Sequence, residues 1–219
     1  MDIRILIFLL ELVSSIISFI VGYYALKAYR TTATRGLLLL YLGFIVLGIG
    51  TLLRFTTAAY VGLIVRTIPP TTEHQLAGLI RLAASIYMIT QLVAYGLFTI
   101  TYILQAINTS RTSPTVAQAA TIPAAAAGPF VQLFFIPQLE LIAITLLGFI
   151  TIYTFTNWLI KKETAAALVT LGFGLMLLSH FFFLLMINSE AFLFLGQISQ
   201  LAGFLCLLTM LAKVSKTNA

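Results

Sequence analysis

Charge is what this sequence has least of. Only 8% of its 219 residues are charged and 61% are hydrophobic, whereas ordinary soluble domains run to about 25% and 45–50%. So few charges cannot cover a soluble surface, and no stretch outside the apolar runs could build a core of its own. Cysteine is nearly missing: Cys206 stands alone, which excludes an intrachain disulfide, and its apolar surroundings in the sequence suit a small packing residue. Histidine occurs only at His74 and His180. No nucleophile stands with its base, no ligand spacing suits zinc, and no glycine-rich loop could cradle phosphate, so an enzyme is not expected. Nucleic acid is not an expected partner either. The net charge is +6, but the basic residues are scattered singly and in pairs beside apolar segments, where anionic lipid head groups are the simpler partner.

What is present in abundance is apolar sequence in long runs. Met1 to Arg4 holds one acid and one base and leads directly into such a run with no small-x-small cleavage pattern, so the run reads as a first span and not as a removable leader. About twenty apolar residues cross the hydrocarbon core as a helix. Six runs qualify: Ile5–Leu26, Leu37–Tyr60, Leu82–Ile107, Leu139–Ile160, Ala165–Ile187 and Ala191–Leu211. A seventh, Thr115–Ile136, is free of charge but only moderately apolar, rich in Ala and Thr and broken by Pro123 and Pro129.

The distribution of Lys and Arg decides whether that stretch spans. With six spans, the basic residues divide almost evenly between the two sides. With seven and the N-terminus outside, Lys27, Arg30, Arg35, Arg111, Lys161, Lys162, Lys213 and Lys216 all fall inside, and only Arg4 and Arg66 lie in clear outer segments. The aromatic residues agree: Tyr23, Tyr24 and Tyr29 precede the first basic loop and Trp158 precedes Lys161-Lys162, as interfacial rings do. Pro69-Pro70 marks a stiff outer turn. The expectation is an all-α integral membrane protein of the cell membrane. It forms one domain over residues 1–219, a seven-helix transmembrane bundle with its N-terminus outside and its C-terminus cytoplasmic.

The second half echoes the first. An aromatic residue near the inner end, a short basic loop and a helix carrying Gly-Phe occur twice, as Tyr23 to Gly43-Phe44 and as Tyr153 to Gly172-Phe173. With the fourth span as linker, spans one to three and five to seven run the same way. That is a parallel 3+1+3 repeat, an arrangement found among transporters. Gly43, Gly48, Gly50, Gly172, Gly174, Ser199 and Gly203 would let helices approach closely.

Ionisable residues within spans are costly and mark a functional site by default. They are Glu11, Arg54, Arg81, Glu140 and His180, and the topology puts all five in the outer half. Glu73, His74 and Glu190 fall in outer loops. Two arrangements are open: Arg54 and Arg81 reach toward head groups and pair with Glu11 or Glu140, or the five ring an outward-facing cavity for a ligand, a proton path or a partner. Glu11 with Arg54 is the favoured pair. No cofactor is expected. A b-type haem would need two axial ligands from His74 and His180, one of them in a loop, and retinal would need a lysine inside the last span, which has none. Phe181, Phe182 and Phe183 in succession suit a helix surrounded by lipid or by other membrane subunits. Three functions follow in order: a non-catalytic subunit of a larger membrane complex, respiratory, translocation or secretory; a small-solute transporter built on the repeat; and a membrane sensor module.

Overall fold

The computed structural model describes residues 3–64, 73–110, 137–185 and 190–217. They form six α-helices: α1 (Ile3–Thr32), α2 (Arg35–Ile64), α3 (Glu73–Ser110), α4 (Pro137–Lys161), α5 (Thr164–Leu185) and α6 (Glu190–Thr217). Each contains a stretch long and apolar enough to cross a membrane. The Ala/Pro-rich stretch Thr115–Ile136 and the Pro69-Pro70 turn lie outside the described residues. The helices overrun the apolar runs in the sequence. Hydropathy registers the part that suits lipid, while helical hydrogen bonding continues into the polar flanks. One expectation is corrected by this: Glu73 and His74 are the first two residues of α3 and Glu190 is the first of α6, so none of the three belongs to a loop.

The bundle carries its polar side chains inside, among an apolar core, and turns apolar residues outward. Leu9, Val13, Ile16 and Ile20 recur at helical spacing along α1 and all are exposed, as are Ile86, Ile89, Val93 and Ile100 on α3. Glu11, Ser14, Ser15 and Ser18 on the opposite face of α1 are buried, and so are Gln91, Thr99 and Thr101 on α3. Such a surface would aggregate in water and is the natural one in lipid. The three successive phenylalanines of α5 follow suit: Phe181 is exposed, Phe182 half-buried and Phe183 buried.

Each helix packs on its neighbours in the chain, and α6 returns to α1, closing a ring of six. Small residues and hydroxyls make the seams. Ser15 and Ser18 of α1 donate to the carbonyls of Gly48 (3.0 Å) and Phe44 (2.8 Å) on α2, while Gly172 of α5 and Gly203 of α6 bring those two backbones into contact. Rings from four helices fill the axis. Phe44 meets Phe98 and Phe204 with centroids 4.7 and 6.0 Å apart, and Phe173 meets Phe98 and Tyr102 at 5.8 and 5.5 Å.

The turns α1–α2 and α4–α5 are built alike. Ala33 and Lys162 adopt left-handed backbone (φ 53° and 52°), and their amides bond the carbonyls of Tyr29 and Trp158, each at 2.7 Å. This is the single-bond left-handed helix cap, here without glycine. Both turns lie at the end of the bundle that carries Lys27, Arg30, Arg35, Lys161 and Lys162, and Lys213 of α6 joins them by donating to Thr164 at 2.7 Å.

Consecutive helices α1–α2, α2–α3, α4–α5 and α5–α6 are antiparallel, but α3 and α4 are parallel. His180 contacts both Tyr95 of α3 and Glu140 of α4, and further toward the basic end Tyr102 meets Tyr153. Numbering rises toward the basic end on both helices. Ser110 therefore sits at the basic end of the bundle and Pro137 at the opposite one.

Candidate functional site

Between the aromatic layer and the end opposite the basic turns, every helix of the ring contributes polar side chains to the interior. Glu11 comes from α1, Arg54 from α2, Tyr87, Gln91 and Tyr95 from α3, Glu140 from α4, His180 from α5, and Gln197 with Gln200 from α6. All but Arg54 are buried. Helical spacing explains their convergence: Tyr87, Gln91 and Tyr95 follow at intervals of four on one face of α3, and Gln197 and Gln200 stand one turn apart on α6.

Two pairs of ionisable side chains organise the site. Arg54 donates through Nη2 to Oε1 of Glu11, and its guanidinium lies 4.2 Å from the ring centroid of Tyr87, a cation–π contact. Gln197 donates to the same Glu11 oxygen at 3.5 Å, and Gln91 donates to the Tyr87 hydroxyl at 2.6 Å. In the second pair, Nδ1 of His180 meets Oε2 of Glu140 at 2.5 Å and Nε2 meets the Tyr95 hydroxyl at 2.7 Å. Toward an ionised carboxylate, which can only accept, Nδ1 would donate, leaving Nε2 to face a hydroxyl that can either donate or accept. The edges of Tyr95 and Phe183 wall the imidazole, at ring centroids of 5.2 and 5.6 Å.

One buried atom here has no hydrogen-bond partner, Oε1 of Gln197, while the side-chain amide of Gln200 faces the Tyr87 hydroxyl. An unmet polar atom at such depth costs about 1–3 kcal/mol. An unmet acceptor beside Glu11 suits a small molecule with a hydrogen-bond donor.

Of the five residues singled out in the sequence, Glu11 and Arg54 pair as favoured, and Glu140 and His180 join the same interior. Glu140 pairs with His180 and not with an arginine. Arg81 lies on α3, and the geometry above is built on the other four. Sequence reasoning missed Tyr87, Gln91, Tyr95, Gln197 and Gln200; their shared helical faces were the available signal. Axial ligation of a haem by His180 would displace Tyr95 or Glu140 from its ring nitrogens. Among the described residues, no three His, Cys, Asp or Glu side chains gather to hold a metal ion.

A change confined to one bond tests the His180 arrangement. Tyr95→Phe should cost about 1–3 kcal/mol, the penalty for leaving a buried ring nitrogen without its partner, read as a drop in thermal unfolding temperature in detergent. A loss several times larger would mean that Tyr95 supports more than this imidazole.

No protein family, no curated protein and no solved structure matches this chain.

Proposed function

We propose that this membrane protein is a small-solute transporter whose substrate site is the polar interior formed by Glu11, Arg54, Gln197 and Gln200. The observation that carries the reading is the direction of polarity. Buried ionisable residues that face a bundle interior mark solute and ion pathways, and here all six described helices turn polar residues inward. The aromatic layer of Phe44, Phe98, Phe173 and Phe204 would be the barrier on the basic side, and the partly exposed Arg54 guanidinium marks the nearer opening.

The topology proposed with it is seven spans in a 3+1+3 order, N-terminus outside. Its support is the parallel course of α3 and α4, which obliges the chain to return from one end of the bundle to the other between Ser110 and Pro137. Thr115–Ile136, the stretch expected to span, has residues enough for a hydrocarbon core of about 30 Å. A duplication is supported by register. Glu11 and Glu140, Tyr24 and Tyr153, Ala33 and Lys162, Gly43 and Gly172, and Phe44 and Phe173 all stand at one common separation. On the third helices a second common separation relates buried Gln91, Ala94, Tyr95, Phe98 and Tyr102 to buried Gln200, Gly203, Phe204, Leu207 and Leu211. Tyr24 and not Tyr23 keeps the register, since Tyr24 packs on the core and Tyr23 is 62% exposed.

Single cysteines test the topology. In a Cys206→Ser background, Gln138→Cys should react with a membrane-impermeant maleimide from outside intact cells and Ser110→Cys only after permeabilisation. Labelling of both from one side would remove the seventh span. Function is tested by thermal unfolding of the purified protein with sugars, polyols and neutral amino acids, since a bound solute stabilises in proportion to its occupancy. At least one class should raise the unfolding temperature, and Gln197→Leu/Gln200→Leu should abolish the rise. Silence from every class, with stoichiometric membrane subunits copurifying from gently solubilised membranes, would favour a non-catalytic subunit instead.

A further inference from the structure

The charges of the described interior do not balance. Glu11 and Glu140 are two carboxylates, and Arg54 is one guanidinium. A buried, uncompensated carboxylate is among the costliest groups a protein can hold. The Arg54 guanidinium is bonded to Glu11, so the deficit falls on Glu140, which is buried and whose charged or titratable neighbour is His180. From these observations we infer that the Glu140–His180–Tyr95 chain is a proton-binding site, which loads one proton from the outer aqueous phase onto Nε2 of His180.

The geometry suits both states. Unloaded, His180 holds its proton on Nδ1 toward Glu140 and accepts at Nε2 from the Tyr95 hydroxyl. Loaded, a new N–H bond forms at Nε2, the imidazolium donates from both nitrogens, and the Tyr95 oxygen becomes the acceptor as its hydroxyl proton rotates away. No heavy atom need move, and no oxidant or reductant is involved. Among the described residues, the groups around His180 are few. Glu140 faces it from α4 and Tyr95 from α3, with Tyr87 one layer beyond; α6 offers the uncharged Gln197 and Gln200 at that level; Arg54 and Glu11 complete the interior from α2 and α1. A metal cation has no place between Nδ1 and a carboxylate oxygen 2.5 Å away.

The two halves of the interior would then divide the work. The carboxylate of the first half is held by a permanent cation, Arg54, and its counterpart in the second half by a group that gains and loses charge. The second half supplies a coupling proton to the solute site of the first. This coupling role rests on the transporter reading; the proton site itself does not.

The chain's two histidines make the site visible. Protein labelled with ¹⁵N-histidine, carrying His74→Gln and embedded in lipid nanodiscs, leaves His180 as the sole imidazole signal. Near neutral pH the spectrum should show both ring nitrogens protonated. Glu140→Gln should convert it to a neutral imidazole, while Tyr95→Phe should keep the cationic pattern. Exchange of sodium for choline should leave the wild-type spectrum unchanged. A neutral His180 in the wild-type protein from about pH 5 to 8 would overturn the inference. So would an imidazolium that appears only when sodium is withdrawn, or a neutral His180 that becomes cationic in Arg81→Gln, since the balancing charge would then be sodium or Arg81. A charged His180 in a protein that binds no solute keeps the proton site and removes the transporter. A neutral His180 in a protein that does bind solute has the opposite meaning.

Discussion

Replacing Arg54 by leucine is expected to cost about 3–5 kcal/mol of stability, the penalty for stranding the partner of a buried pair. Among the described residues, Glu11 would be left with the amide of Gln197 as its donor, at 3.5 Å. The double replacement Arg54→Leu/Glu11→Leu removes both charges and should recover most of the loss, because two apolar residues in a largely apolar bundle require no compensation. Thermal unfolding and folded yield in one detergent measure the three proteins. Equal behaviour of the single and double variants would show that the pair is not energetically coupled. The cation–π contact with Tyr87 is lost in both, so the difference between them isolates the carboxylate.

Gly203→Val should be nearly as damaging, for a steric reason. A Cβ at Gly203 would stand 2.7 Å from the carbonyl oxygen of Gly172 and 2.9 Å from Cγ of Met176. The first of these is backbone and cannot rotate away. Helices α5 and α6 would have to separate along their closest seam, at a cost of about 3 kcal/mol or more. Gly148→Ala is the control, because nothing lies within 4 Å of a Cβ there. It should be neutral or stabilise by about 0.5–1 kcal/mol through the higher helix propensity of alanine. If the two glycine variants unfold at the same temperature, the close approach of α5 and α6 is not what holds that seam.

The sequence made the membrane class and six of the helices readable, because lipid demands a minimum apolar length and hydropathy measures that directly. It also made the Glu11–Arg54 pair readable, since few charges were available and these two lay too deep to be loop residues. The Glu140–His180–Tyr95 chain was harder to see. Tyrosine in a membrane segment reads as an interfacial ring, and nothing local shows that Tyr95 is at zero exposure or that α3 passes α5. The glutamines were overlooked for a related reason: uncharged amides barely disturb a hydropathy profile, although Gln91, Gln197 and Gln200 are all buried. Helix ends were misjudged wherever a polar flank remained helical, as at Glu73 and His74. The Gly-Phe echo was legible as composition, whereas the likeness of the turns at Ala33 and Lys162 was not, since neither residue type announces a left-handed cap.

Those two turns also bear on how the protein enters its membrane. Each joins a carboxylate-bearing helix to the helix that carries its partner: Glu11 on α1 meets Arg54 on the next helix made, and Glu140 on α4 meets His180 on the next. A charge within a lone membrane helix is costly to insert. A hairpin that leaves the translocation machinery as a pair has already matched its charge and need not wait for the rest of the chain. The ring can then be assembled from two self-sufficient hairpins, with α3 and α6 added afterwards to bring in the tyrosines and glutamines of the finished interior.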